Sequence, residues 1–345
     1  MELRKDPITR SWVVTGHREQ AAAPSDACPL CAASIPRDKV LLRLPADGPP
    51  QVTVFPHFDP LYRIEGELGR TAEGLYDKMR AVGAHEIIVE TPDHTRKLTE
   101  MREEEVERIL QAYGARITDL KKDARFKYVT VFKNFGPLSG EDWTHSNSQL
   151  IATTFVPRRI LYELRAARQF FQEKDRCVFC DIVRQEMKQG VRVVDSQGDY
   201  VAFCPYASRV PFEVWVMARK HNHLFESPRP GANRRNLAAL LVRILRRLQQ
   251  VSVAYHMVVH TAPSVLQTKG ELSDYWRTIA EDYHWHIEIL PIVETRSKSY
   301  SIKEVYFNTM LPEQAADKLR RIDPNPGAAR AMPILPPAAS VAASS

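Results

Sequence analysis

The sequence predicts an α+β fold made from one unit used twice, and three features predict it. The chain carries two C-x-x-C pairs, Cys28/Cys31 and Cys177/Cys180, each ahead of a β-rich segment that ends in histidine. Those segments, HEIIVETPDH and FEVWVMARKH, place a glutamate and a histidine eight residues apart, Glu86 to His94 and Glu213 to His221. In each half an amphipathic helix, a strand and an H-x-[N/H]-x-[Q/E] motif then follow in the same order.

In chain order, Leu3 to Arg18 reads as a turn at Asp6-Pro7 followed by a short strand. A Pro/Ala/Ser-rich loop carries the first cysteine pair, and mostly extended, Pro-broken sequence continues to about residue 65. After HEIIVETPDH, Thr99 is expected to cap a helix reaching about Lys121. Val106, Ile109, Leu110, Tyr113, Ile117 and Leu120 recur on one face of it. FKYVTVFKN is a buried strand and HSNSQLIATTFV the next. The second half repeats this with a strand near Tyr200–Phe203, then FEVWVMARKH. Next come a helix over Leu237–Leu248 with a clean leucine and isoleucine stripe, the strand AYHMVVH, and HWHIEILPIV from His284. The expected units are 1–165 and 166–323. Residues 324–345, rich in Pro, Ala and Ser, read as a disordered tail.

The chain has 345 residues, 44% of them hydrophobic and 26% charged, which suits a globular protein with one large or two medium cores. A formal charge of +6 suits anionic small molecules. It does not call for nucleic acid, because basic and acidic residues are interspersed. The arginines of RRNLAALLVRILRRLQQ are read as the solvated face of a helix. No apolar run approaches the roughly 18–20 residues of a membrane span, and no apolar leader follows Met1. A reducing cytoplasm is the expected setting.

There, a C-x-x-C pair is either a redox couple or half of a metal site. A redox pair needs a helix N-terminus to lower a thiol pKa. CPLC lies in a loop, so zinc is favoured. The repeat supplies the missing ligands: Cys28, Cys31, His94 and His145 form one Cys2His2 set, and Cys177, Cys180, His221 and His284 the other. Such four-ligand sites are closed and structural. Cys204 is solitary and reads as a core residue.

The stretch FKNFGPLSGEDWTHSNSQ, residues 132–149, is a Gly-punctuated loop entering a polar strand. Alternation puts His145, Asn147 and Gln149 on one face, with Ser146 and Ser148 on the other. The pattern reads as a phosphate-handling site with Lys133 and Asn134 at its mouth as anion and hydrogen-bond partners. Trp143 is placed to stack on a base or sugar.

Taken with RKDPITRSWVV, CPLC and HWHIEI, these segments resemble the galactose-1-phosphate uridylyltransferase family of the histidine-triad superfamily, over roughly residues 3–320. The resemblance implies a duplicated fold of two histidine-triad-like half-barrels, a homodimer, and nucleotidyl exchange between a nucleoside diphosphate sugar and a sugar phosphate. Relatives act as nucleotide-sugar phosphorylases. In the implied ping-pong mechanism the second histidine of H-x-H-x-Q attacks the α-phosphorus, an imidazole being both nucleophile and leaving group at neutral pH. The glutamine two residues on orients phosphoryl oxygens, and the first histidine binds zinc, in agreement with His145.

This chain departs from that pattern at the nucleophile, where Asn147 stands. An amide nitrogen, its lone pair delocalised, does not become a phosphoramidate at useful rates. Asp142 replaces a small residue beside the transferred phosphate. Arg18 matches the first of two phosphate-binding arginines, but Ala21 replaces the second. His57 falls where the family has a uridine-proximal asparagine. Gln149, Lys133 and Asn134 are kept. Three accounts follow. The chain is a nucleotidyltransferase or nucleotide-sugar phosphorylase working without a covalent intermediate, through Asn147 and Gln149. Alternatively His286, the repeat equivalent of Asn147, is the nucleophile, with Glu288 orienting it. Or the protein is a catalytically inactive binder of nucleotides or sugar phosphates.

Overall fold

A computed structural model describes residues 1–16, 28–228, 232–264, 276–293 and 306–325. Arg18, Ala21 and all but the first two residues of the expected tail lie outside them. The core is one ten-stranded sheet in the order β10-β11-β12-β14-β13-β8-β9-β7-β4-β3. Its first half uses β3 (Leu42–Leu44), β4 (Val52–Pro56), β7 (Gly83–Val89), β8 (Tyr128–Phe135) and β9 (Asn147–Thr153). The second uses β10 (Val193–Gln197), β11 (Tyr200–Phe203), β12 (Val214–Ala218), β13 (Tyr255–His260) and β14 (His286–Pro291). The two sets mirror each other about the antiparallel β8–β13 pair, where Val259 faces Val131 and Met257 faces Lys133. The halves therefore join edge to edge into a single sheet with no exposed edge between them. A small second sheet, ordered β2-β1-β6-β5, uses β1 (Glu2–Lys5), β2 (Trp12–Thr15), β5 (Thr71–Glu73) and β6 (Tyr76–Arg80).

Helices α1 (Glu103–Leu120) and α4 (Arg234–Leu248) cover one face of the large sheet. Their predicted apolar stripes are buried there among Val129, Val131, Leu150, Met257 and Ile287. The α1 start differs from expectation: Thr99 lies in a short 3-10 turn, and Arg102 is the cap. The Arg102 backbone N–H donates to Glu105 Oε2 at 2.8 Å, which satisfies one of the end's free donors. Helices α2 (Arg158–Lys174) and α3 (Val178–Gln189) were not predicted. They pack with Phe203, Met217 and Tyr283 in a second cluster. The expected boundary at 165/166 falls inside α2. Two short helices, α5 (Ile279–Asp282) and α6 (Pro312–Arg321), complete the chain.

Two features hold the loop before β9 in place. Gly136 has φ +87°, and a Cβ there would meet Val253 O at 2.2 Å, so no other residue fits without moving backbone. Behind β9, on the helix face, the buried Glu90 carboxylate receives Lys133 Nζ at 2.7 Å and Ser146 Oγ at 2.6 Å. Ser148 Oγ donates to it at 2.5 Å and the Tyr113 hydroxyl at 3.2 Å. Lys133 Nζ also donates to Asn147 O at 2.8 Å. Burial alone would raise the Glu90 carboxyl, but the Lys133 ammonium and the hydroxyls outweigh it and hold the pKa below its usual value. Lys133 is 1% exposed, so the anion-binding role expected at the loop's mouth is corrected to internal pairing.

Removing one partner of such a pair leaves the other charge buried, at a cost of about 3–5 kcal/mol. Glu90→Gln is expected to lose that much in urea unfolding, and adding Lys133→Met to recover part of it. A loss below about 1 kcal/mol contradicts the role assigned to the pair.

Candidate functional site

Strand β9 and the residue before it divide their polar side chains as alternation predicts: Ser146 and Ser148 face the helices, and Asn147 and Gln149 face the opposite side. Both Asn147 hydrogen bonds run from its amide nitrogen to backbone carbonyls, His145 O at 2.7 Å and Trp143 O at 3.4 Å. A carbonyl only accepts, so the nitrogen must point there, and the amide oxygen is what Asn147 offers to a ligand. Asn147 therefore has an acceptor, and no free amide hydrogen, to offer a phosphoryl oxygen.

Gln149 is held at both ends. Its Nε2 donates to Asp142 Oδ2 at 3.1 Å, and its Oε1 lies 2.9 Å from His85 Nε2. The Leu61 backbone N–H donates to His85 Nδ1 at 3.2 Å, which leaves the proton on Nε2 to donate to Gln149. His85 was not singled out from sequence, although it shares a strand face with Ile87 and Val89. The His57 ring stacks on His85 with centroids 4.0 Å apart, and Trp143 lies 5.5 Å from His57. A cleft of about 630 Å³ lies beside His85, between Tyr62, Arg63, Glu86, Arg116 and Asp119 at the end of α1; Asn147, Gln149 and Asp142 do not line it. That volume is in the range of small-ligand sites. Asn134 stays near this face, its Oδ1 2.9 Å from His256 Nδ1.

Asp142 is exposed, and among the described residues it makes no ion pair. A unit charge about 4 Å from another costs about 4 kcal/mol at an effective dielectric of 20. A phosphate beside Asp142 meets that repulsion unless a cation offsets it.

Both expected Cys2His2 sets converge. In the first, Cys28 Sγ lies 3.7 Å from His145 Nδ1, and Cys31 Sγ lies 3.7 Å from His94 Nδ1. In the second, Cys180 Sγ lies 3.3 Å from His221 Nδ1 and 3.6 Å from His284 Nδ1. Cys177 completes it, and within each set the ligand atoms lie within 4.8 Å of one another. Tetrahedral zinc, with bonds of about 2.3 Å to sulfur and 2.0 Å to nitrogen, separates such atoms by about 3.5 Å, so the donors fit. Two of the outer nitrogens are also engaged, His145 Nε2 at 2.7 Å from Thr91 O and His221 Nε2 at 2.8 Å from Ala280 O. Such partners select the tautomer that leaves Nδ1 for metal. Burial lowers the His145 pKa, which favours the neutral ligand form. CVFC differs from CPLC in its setting: Cys177 caps α3 and Cys180 lies in its first turn.

A third cluster, Glu163, His260, His286 and Glu288, was not predicted as a unit. Its positive charge comes from protein groups: Arg159 and Arg209 donate to the two Glu288 oxygens at 3.1 and 2.8 Å. His260 Nδ1 lies 3.1 Å from Glu163 Oε2. Burial would lower the His260 pKa, but Glu163 and Glu288 outweigh it and raise it to about 9. His286 is fully buried, with its Nδ1 3.2 Å from His284 O and its ring stacked against Trp215, Phe179 and His260. Burial, with His260 beside it, lowers its pKa to about 4. No phosphorus can reach that ring, so the expected nucleophile is corrected to a packed core histidine.

The duplicated sheet, the two Cys2His2 sets and the polar strand define a nucleotidyltransferase-like scaffold. A family model described as "Galactose-1-phosphate uridyl transferase, C-terminal domain" matches residues 163–325. One described as "Domain of unknown function (DUF4931) N-terminal domain" matches 76–156. The ADP-glucose phosphorylase of Arabidopsis thaliana is 26% identical, with 93% of each chain covered. The galactose-1-phosphate uridylyltransferase of Thermotoga maritima is 26% identical over 94% of this chain and 99% of its own. A solved uridylyltransferase superposes with a TM-score of 0.76 at 26% identity, covering 93% of this chain and 97% of that one. The Arabidopsis phosphorylase with bound ADP-glucose gives 0.72 at 26%, covering 94% and 100%. The C-terminal half thus matches the galactose-1-phosphate uridyl transferase model, and the whole chain shares the duplicated α+β fold of the solved uridylyltransferase and phosphorylase.

Because the folded His260 pKa lies above the free value near 6.5, its stabilisation is full below 6.5 and is lost as pH rises through about 9. The melting temperature is expected to fall across that window, and to fall less in His260→Gln. An equal slope in the variant contradicts the assignment.

Proposed function

We propose that the chain acts on a nucleoside diphosphate sugar, as a nucleotidyltransferase or a nucleotide-sugar phosphorylase, by direct displacement at the α-phosphorus with no nucleotidyl-histidine. The observation that carries this is the amide at 147, on the strand position of the family's nucleophile and beside a Gln149 held by His85 and Asp142. The ADP-glucose bound to the Arabidopsis relative supports the substrate class. Gln149 orients a phosphoryl oxygen through the amide hydrogen not given to Asp142. The His57–His85 stack and Trp143 form an aromatic wall suited to a base. Arg18 supplies phosphate charge from outside the described residues. Zinc in both Cys2His2 sets ties the loop at 28–31 and the start of α3 to the sheet, its binding energy adding to folding. A cytoplasmic homodimer belongs to the same proposal.

Two experiments test it. Incubation with α-labelled nucleotide sugar, then denaturation, is expected to leave no label on the protein while product accumulates. Asn147→His is expected to retain label; none with any donor means the site has diverged beyond residue 147. Binding without turnover across a sugar-phosphate panel favours the inactive-binder account. Metal analysis is expected to find two zinc per chain, and Cys28→Ser to leave one and lower the melting temperature. A metal-free native protein contradicts both sites.

A further inference from the structure

The reacting face of β9 presents hydrogen-bond acceptors where a phosphoryl site needs donors. Asn147 turns its amide nitrogen to His145 O and Trp143 O, so its oxygen faces outward, and no described residue donates to that oxygen. Asp142 adds a carboxylate on the same side, tethered through Oδ2 to Gln149 Nε2 and otherwise open to solvent. The α-phosphoryl group is common to every acceptor, so the carboxylate discriminates between acceptors: it opposes an incoming phosphate anion and does not oppose a neutral one. A phosphate nucleophile is already anionic and has no use for a base. A neutral hydroxyl needs one, because its oxygen attacks well only as its proton leaves.

Resting on the direct displacement proposed above but replacing its phosphate or sugar-phosphate acceptor, we infer that the acceptor is water: Asp142 is a general base, Asn147 Oδ1 helps hold the water, and the reaction is hydrolysis of a nucleoside diphosphate sugar. The water oxygen forms a bond to the α-phosphorus as its proton passes to an Asp142 oxygen. The bond from that phosphorus to the bridging oxygen breaks, and its electron pair leaves with the sugar 1-phosphate. The second product is the nucleoside monophosphate, and Asp142 returns its proton to solvent. The tether from Gln149 serves two ends at once. The same amide group that aims the base can present its second N–H to the phosphoryl oxygen, and His85 keeps that amide from turning over. Asp142 and Asn147 are catalytic residues in this scheme, and His85 is a positioning residue.

The test uses the zinc-loaded full chain with ADP-glucose and UDP-glucose, in 18O-water, with and without inorganic phosphate or a hexose 1-phosphate. Hydrolysis predicts nucleoside monophosphate without any phosphate acceptor, one 18O in its phosphate, and none in the sugar phosphate. Asp142→Asn is expected to cut kcat at least 100-fold with KM little changed, and Asp142→Ala to be partly rescued by formate. His85→Gln is expected to lower kcat while leaving formate rescue of the Asp142→Ala background intact. Turnover that requires phosphate and survives Asp142→Asn overturns hydrolysis and leaves direct displacement standing. No turnover under any of these conditions overturns both.

Discussion

The Glu90 carboxylate is the point on which the candidate site depends. It is fully buried, and four side chains from three elements converge on it. An unpaired charge in that position would be far costlier than any single packing defect, so the groups around it have little freedom. Two of them, Ser146 and Ser148, belong to the segment that also displays Asn147 and Gln149. A slip of one residue would carry the serines to the ligand side and bury the amides against α1. The network on the back of the strand therefore decides what its front can do.

What the front does follows from which atoms are already spent. Asn147 has used its nitrogen on the backbone, and Gln149 has shared its two ends between a neutral imidazole and a carboxylate. The mirror-related position in the second half keeps its imidazole, yet it is walled in by Trp215, Phe179 and His260. Duplication thus produced two strands of like pattern with opposite fates. One carries an amide, Asn147, at 6% exposure; the other carries an imidazole, His286, at 0%.

Much of this was legible beforehand, because the chemistry recurs at fixed spacing. The repeated C-x-x-C, strand, helix and H-x-[N/H]-x-[Q/E] order exposed the duplication, and the eight cysteines and histidines expected as ligands converge in two groups of four. The alternation at 145–149 told which side chains share a face. Illegible were facts that depend on what lies across the sheet. Lys133 follows a run of strand residues into the loop, and nothing local distinguishes an anion-binding lysine from one paired with Glu90, 43 positions away. His286 likewise reads as reactive until Phe179 and Trp215 are seen to enclose it. The direction of the Asn147 amide depends on two carbonyls of its own loop. Helices α2 and α3 are as amphipathic as α1, but they flank a cysteine pair that reads first as metal ligands.

The proposed reaction is a single displacement at phosphorus, made without a covalent enzyme intermediate. The stereochemical course tests it most directly, using an α-phosphorothioate nucleotide sugar of one configuration and reading the configuration of the product. One displacement predicts inversion at the α-phosphorus. Retention would mean two displacements, and with them a nucleophile on this protein that the geometry around Asn147 does not supply.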